Sequence, residues 1–371
     1  MHRSVRARID LSALRHNFAI ARRHAGARAV WPVVKADAYG HGMLPVARAL
    51  AAADGFCVAD LDEALVLRHA GIDKPLLAIQ GAHDGAGLCA AAAARVTLGV
   101  HDPAQLAVIE RAGPSLAPSS LRLWLKLETG MHRLGLEPRA ALAARDRLAS
   151  MAAVAECGVM THFACADSPA HPLTATQADV FARAAWVAIG PVSACNSAAL
   201  LTGAFPGDSV VRPGIMLYGA SPLLERSAAD LGLLPVMSFD TRVIAVKALV
   251  AGETVGYGAT WSAPAATRVA IVAAGYGDGY PRHAPSGTPV HIGGAEFTTV
   301  GRVSMDSLTV DLGPSTDAAQ VQVGDAVTLW GDALAVDRIA AAAGTIGYDL
   351  LAGVTGRVPR EYVDAPAAEQ H

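Results

Sequence analysis

The 371-residue sequence predicts an α/β chain, a (β/α)8 TIM-like barrel over residues 10–230 followed by a second, mainly β C-terminal domain over 231–371. Two observations carry the prediction. From residue 28 to about 219, short apolar runs alternate with alanine-rich helical segments, an order that requires a parallel sheet with crossover helices. After about Leu234 the pattern changes to short β-type runs bounded by glycine.

Taken in order, VRARIDLSAL (Val5–Leu14) supplies a strand within residues 1–9 that can join the second domain, before a helix that starts at Ser12. Eight apolar runs then follow: Ala29–Val34, Gly55–Val58, Leu76–Ile79, Val96–Val100, Leu121–Leu127, Glu156–His162, Val192–Cys195 and Val210–Arg212. Eight runs in about 200 residues fit a (β/α)8 barrel better than an open doubly wound sheet. No GxGxxG follows the first run, which weakens a dinucleotide reading. The later β-type runs are Val236–Val250, Thr267–Gly277, Thr288–Gly294, Ser307–Gly313 and Asp325–Gly331. The tail from Asp364 reads as frayed.

Composition narrows the function classes. At 52% hydrophobic and 17% charged the chain can bury a large core. A net charge of −3, with both signs interspersed, points to neither nucleic acid nor an anionic membrane as partner. Alanine runs such as Ala90–Ala94 favour helix but are too short to span a bilayer. The amino terminus has no apolar stretch before Ile9, so it is not a secretory signal, and a cytoplasmic protein is expected. Cys57, Cys89, Cys157, Cys165 and Cys195 are scattered singly, which suits reduced thiols rather than a zinc motif or disulfide framework. His162 lacks a second ligand at i+4, which argues against a metal site.

The densest stretch is VVKADAYGHG, Val33–Gly42. Trp31–Val34 reads as a buried strand without alternation, which puts Lys35 at its carboxyl end, and Ala36–Gly42 is small and glycine-rich enough for close approach of backbone to a ligand. A lysine there snorkels to solvent, forms a salt bridge, or works as a nucleophilic amine activated by desolvation. In a barrel, chemistry gathers at the carboxyl ends of strands. Lys35 follows the first run, Arg133 the fifth, Ser197 the seventh and Arg212 the eighth, while His162 lies on the sixth.

VVKADAYGHG closely resembles the cofactor-lysine motif of bacterial alanine racemases, which bind pyridoxal phosphate (PLP) on a barrel. KLETGMHRLG (Lys126–Gly135), HFACAD (His162–Asp167), NSAA from Asn196, VRPGIMLYG (Val211–Gly219), VGYGATW (Val255–Trp261), GYGDGYPR (Gly275–Arg282) and VGRVSMDSL (Val300–Leu308) resemble further elements of that family, in order along nearly the whole chain. The resemblance implies that Lys35 forms the Schiff base with the cofactor and that Tyr39 bonds its phosphate. Ser197 and the backbone at Gly214 and Ile215 also fall at the phosphate. Arg133 falls on the cofactor's phenolic oxygen and the substrate carboxylate, His162 against the pyridine ring, and Arg212 opposite the pyridine nitrogen. Lys126 corresponds to a lysine that is often carbamylated, an anion able to hold the arginine. Tyr257 corresponds to the second base, which comes from the other subunit, Tyr276 to the corridor tyrosine, and Met305 to a backbone contact with the substrate carboxylate.

Each residue also has a blander reading: solvated charges for Lys126 and Arg133, a core histidine, a helix cap at Ser197, turn tyrosines, a core methionine. One departure stands out, because Gly356 precedes the RVPR segment where some members have a phosphate-contacting tyrosine. As a whole the resemblance implies a homodimeric racemase interconverting L-alanine and D-alanine between two bases, for peptidoglycan supply or D-alanine catabolism. A PLP racemase for serine or lysine and a PLP carrier without catalysis are the neighbouring readings. A decarboxylase of this fold would need a carboxylate in place of Arg212.

Overall fold

The computed structural model describes residues 4–185, 190–314 and 321–364. Its strands are β1 (Arg6–Asp10), β2 (Ala29–Val30), β3 (Phe56–Val58), β4 (Leu76–Ala78), β5 (Val96–Val100), β6 (Leu121–Lys126), β7 (Val154–Met160), β8 (Val192–Ser193) and β9 (Val210–Val211) in the first region. The second has β10 (Met237–Leu249), β11 (Thr254–Val255), β12 (Trp261–Ser262), β13 (Thr267–Val272), β14 (Pro289–Ile292), β15 (Ala295–Thr299), β16 (Leu308–Gly313), β17 (Ala326–Trp330) and β18 (Arg360–Val363).

In the first region β3 to β8 form one parallel sheet in sequence order, and β2 pairs in parallel with β9. Helices separate the strands, as the alternating pattern requires. Every residue of β3, β4 and β5 is buried, which explains why these runs read as continuously apolar. Hydrogen bonds also link the small pair to the sheet. Val33 bridges Cys57 beside β3, and Arg212 N–H donates to Cys195 O beside β8 at 2.9 Å.

The second region is an eight-stranded, largely antiparallel sheet in the order β13-β16-β15-β14-β17-β10-β1-β18. The amino-terminal strand β1 lies antiparallel to β10 and parallel to β18. The chain therefore passes through this sheet before entering the helix Leu11–Ala25. The core runs from Val5 to Val358 through both regions, and Phe239 packs on Trp330 at 4.5 Å between ring centres.

Several boundaries differ from the expectation, each for a local reason. The first helix starts at Leu11 rather than Ser12, because the Asp10 carboxylate caps it by accepting Ser12 N–H and Ala13 N–H. The run at Ala29–Val34 is a strand only over Ala29–Val30, since Pro32 has no N–H to give a ladder, leaving a lone bridge at Val33. His162 lies two residues beyond β7 rather than on a strand. The mainly β region also contains the helices Val336–Ala343 and Gly347–Ala352, which glycine-bounded β patterning did not indicate. Of the tail expected to fray, the part from residue 365 lies outside the described residues. No helix among the described residues is long and apolar enough to cross a membrane.

Candidate active site

Lys35 opens a turn of unusual hand. Ala36, Asp37, Ala38 and Tyr39 all have φ between 51° and 55°, and Gly40 N–H closes the turn on Ala36 O at 3.0 Å. Left-handed backbone costs an L-residue roughly 1–2 kcal/mol, so four in succession persist only where the surroundings dictate it. The dictating contacts are named side chains. Glu63 accepts Ala36 N–H at 2.7 Å, and the Asp37 carboxylate accepts Met43 N–H at 2.7 Å. The fully buried His41 uses Nδ1 against Ala38 O and Tyr39 O, at 3.0 and 2.9 Å. From the second region, Arg360 Nε donates to Gly40 O at 3.0 Å.

The turn carries Tyr39 back under Lys35 and into a cradle. Its ring stacks on Tyr218 at 4.7 Å, and the Tyr218 hydroxyl donates to Val33 O at 2.8 Å. A Cβ on Gly214 would lie 2.6 Å from the Tyr39 hydroxyl, so only glycine allows this approach. Gly214 N–H donates to Ser197 Oγ at 2.8 Å, and Met216 N–H reaches the same oxygen at 3.4 Å. With its oxygen accepting from backbone, the Ser197 hydroxyl keeps its own proton to donate. Ser197 is the first residue of the helix Ser197–Thr202, and the cap is Asn196. Ile215, fully buried, opens the short turn that follows Gly214.

Around Lys35 the charges are overwhelmingly positive. Lys126, the last residue of β6, is 5% exposed, and its amine is lowered to about 8 by burial, then by Arg133, Arg212 and Lys35, with Glu128 opposing. Lys35 is lowered by burial and by Arg133, while Glu63 and the Cys57 thiol act the other way. His162 is held well below its ordinary value, first by burial and then by Arg212, Lys126, Arg133 and Lys35, so its ring is neutral. Its Nε2 faces Asn196 Nδ2 at 3.5 Å.

Arg212 is buried, and no carboxylate of the described residues pairs with its guanidinium. Nη2 donates to Thr161 O at 2.7 Å and Nη1 to the Ser193 hydroxyl. Thr161 is itself braced, its hydroxyl bonded to Thr129 at 2.7 Å, and Gln177 Nε2 donates to both Thr129 Oγ1 and His162 O. Arg133, on the loop after β6, is exposed.

The residues expected from the second region sit differently. Tyr257 is 72% exposed on a turn after Gly256, Met305 is 51% exposed, and Tyr276 is 37% exposed. Two of these are knit together: Tyr276 N–H donates to Ser304 O and Gly277 N–H to Met305 O, at 3.1 and 2.9 Å. Arg357 pins that pair of loops through the buried Asp278, at 3.2 Å, and through Asp306. Gly356 faces open space where a side chain would extend.

No group of three or more potential metal ligands occurs among the described residues. The donors fit a phosphorylated aldehyde better. An amine of lowered basicity stands beside a small cradle of two hydroxyls under a glycine, and a buried cation is available for a ring nitrogen. Sequence reasoning found these groups but passed over Glu63 and Tyr218, whose contacts are tertiary, and Asp37 and His41, whose local bonds to Met43 and to Ala38 and Tyr39 leave no periodic trace.

Comparison with known proteins gives a consistent answer. Residues 9–222 match the family profile described as "Alanine racemase, N-terminal domain", and residues 236–362 match "Alanine racemase, C-terminal domain". The chain is 52% identical over 366 residues to the alanine racemase of Thioalkalivibrio sulfidiphilus, covering 98% of this chain and 100% of that one. It superposes on the crystal structure of the biosynthetic alanine racemase from Pseudomonas aeruginosa with a TM-score of 0.93 at 46% identity, covering 97% and 99% of the two chains. The alanine racemase of Acinetobacter baumannii gives 0.90 at 37% identity, covering 97% and 100%.

Proposed function

This racemase belongs to the alanine racemase family, and on that premise we propose that it interconverts L-alanine and D-alanine with PLP held at Lys35, between two bases, in a homodimer with shared sites. The observation that carries the reading is the cradle of Tyr39, Ser197 and Gly214 beside a half-buried amine of lowered basicity. We assign residues 10–230 to a closed (β/α)8 barrel and 231–371, with the strand before residue 10, to the second domain. The bridge of Val33 to Cys57 and the bond of Arg212 to Cys195 support the closure.

Racemisation takes a proton from one face of Cα and returns one on the other, so two bases on opposite sides are needed. PLP, when bound, supplies the electron sink that makes the Cα proton removable. The Lys35 amine serves the D-face. Tyr257 serves the L-face from the second subunit, where the neutral His162 and the Arg212 cation form a polar surround for it. Its 72% exposure in the single chain supports a site completed from outside.

Tyr39 and Ser197, with the backbone at Gly214 and Ile215, would hold the phosphate. Gly214 acts through Ser197, to which its N–H is already committed. Arg212, held by the neutral Thr161 carbonyl and Ser193 hydroxyl, would offer a fixed cation to the ring nitrogen of the cofactor and would oppose protonation there, disfavouring transamination. Arg133 takes the substrate carboxylate, with the Met305 backbone opposite and Tyr276 at the corridor.

Lys126 is proposed to add CO2 at its neutral nitrogen, forming a carbamate with loss of one proton. With its amine lowered to about 8, a substantial neutral fraction is present near pH 7.5, and the resulting anion would face Arg133 in place of a cation. Cytoplasmic residence is part of the proposal, and five free cysteines support it.

The test is an absorbance spectrum with and without added PLP, borohydride fixation with mapping of the modified peptide, and chiral assay of L-alanine against L-serine. Fixation at Lys35 with alanine preferred is the expected result. No fixation after adding PLP overturns the proposal, and fixation without alanine turnover moves it to another amino acid.

A further inference from the structure

Three elements meet at one carboxylate beside Lys35. Glu63 lies in the first turn of the helix Leu61–His69, where its own N–H is held by the Asp60 cap at 3.0 Å. One of its oxygens accepts Ala36 N–H and the other Ala59 N–H, both at 2.7 Å. Ala36 is the residue after Lys35, and Ala59 is the residue after β3. Both oxygens are thus committed to tying together the ends of two neighbouring strand segments.

We propose that Glu63 is a positioning residue for Lys35, fixing the start of the left-handed turn and setting a negative charge against the cations that crowd the amine. The proposal rests on the reading of Lys35 given above. The geometry demands a glutamate. A glutamine of the same length would turn its NH2 toward one of the two N–H donors, and an aspartate would fall a methylene short of bridging both.

The charge around Lys35 makes the second half of the role concrete. Arg133 comes from the loop after β6, Lys126 from β6 itself, Arg212 from beyond β9, and the neutral His162 from beyond β7. The Cys57 thiol on β3 is pushed up to about 12 by burial and stays neutral. Among the described residues, Glu63 is the carboxylate that opposes the cations at Lys35. Removing its charge therefore favours the neutral amine, while removing its reach lets the amine wander.

These two effects have opposite signs in two measurements, which makes them separable. In full-length protein stripped of PLP, the rate at which a small amine reagent labels Lys35 is followed by peptide mass spectrometry across pH, for wild type, Glu63→Gln and Glu63→Asp. For Glu63→Gln we expect labelling about five-fold faster at pH 7 with an unchanged high-pH plateau. In the same variant loaded with PLP, kcat falls about ten-fold with little change in KM, a loss of orientation rather than of binding. Glu63→Asp keeps the wild-type labelling profile and still loses kcat, because it retains charge without reach.

Identical labelling profiles and identical kcat in wild type and Glu63→Gln overturn the inference. A raised plateau in Glu63→Gln also overturns it, since that reports general loosening. Thermal unfolding of each variant shows whether it is folded, and if Glu63→Gln is not, Glu63→Asp decides alone: unchanged kcat defeats the proposal. Failure of wild type to fix PLP would defeat the reading of the site, yet the labelling experiment on stripped protein would still decide the role of Glu63.

Discussion

The two halves of the proposed site are built in opposite ways. On the side of the parallel sheet Lys126, Ser197 and Arg212 are buried, and hydrogen bonds to other elements fix Ser197 and Arg212. On the side of the second domain Tyr257 and Tyr276 stand on glycine-flanked turns and Met305 on a loop, and the three side chains are exposed to differing degrees, Tyr257 most and Tyr276 least. A buried group owes its chemistry to its own chain. An exposed group takes its environment from whatever covers it, so the parallel-sheet side sets its electrostatics in advance, and in the proposed dimer the other side would receive them on assembly.

The largest effect should come from breaking the parallel-sheet side. Lys35→Ala is expected to remove both the borohydride-fixable attachment of PLP and racemisation, by roughly 10³-fold or more. Residual fixation at another lysine would move the cofactor off the turn.

Next, Tyr257→Phe should keep the attachment and lose activity by about 10²–10³-fold. The loss should fall mainly on the L to D direction in single-turnover assays, and equal loss in both directions would contradict the assignment of faces. Mixing Lys35→Ala chains with Tyr257→Phe chains sharpens the comparison directly. Mixed dimers would rebuild one intact site from two inactive parents, and mixtures as dead as their components would place both halves in one chain.

A smaller effect concerns stability and separates the halves again. His41 is fully buried and its imidazole is lowered to about 4, first by burial, so the folded state prefers it neutral. The unfolded chain then binds more protons than the folded one between about pH 6.5 and 4, and stability falls as pH falls through that window. A loss of roughly 3 kcal/mol is the upper range for this group. His41→Gln should flatten the acid limb of a denaturant-unfolding series at the cost of some stability at neutral pH. An unchanged acid limb would show that His41 is not the group responsible. The smallest effect is the mass of Lys126, expected to carry CO2 in gently prepared protein, where an unmodified amine throughout would refute carbamylation.

Much of this arrangement was legible in the sequence. The β-then-α alternation located the strands to within a few residues, and Lys35, Arg133, His162, Ser197 and Arg212 stood out because they end or follow apolar runs. The turn after Lys35 was not legible. Ala36, Ala38 and Tyr39 carry no local preference for positive φ, and what holds them there arrives from Glu63, His41 and Arg360, up to 320 positions away. The helices Val336–Ala343 and Gly347–Ala352 were hidden for a different reason: they are short and lie among strand signals.

The left-handed turn has a consequence for chemical synthesis. Ala36 at φ 53°, ψ 52° and Ala38 at φ 55°, ψ 50° occupy the region that a residue of mirror-image configuration prefers. D-alanine built into those two positions of a semisynthetic chain would sit at rest where L-alanine is strained. Each replacement should relieve roughly 1–2 kcal/mol while leaving Lys35 where it is. By this reasoning, a protein proposed to interconvert the two hands of alanine holds its key lysine on a piece of backbone that would itself be better made from the D-form.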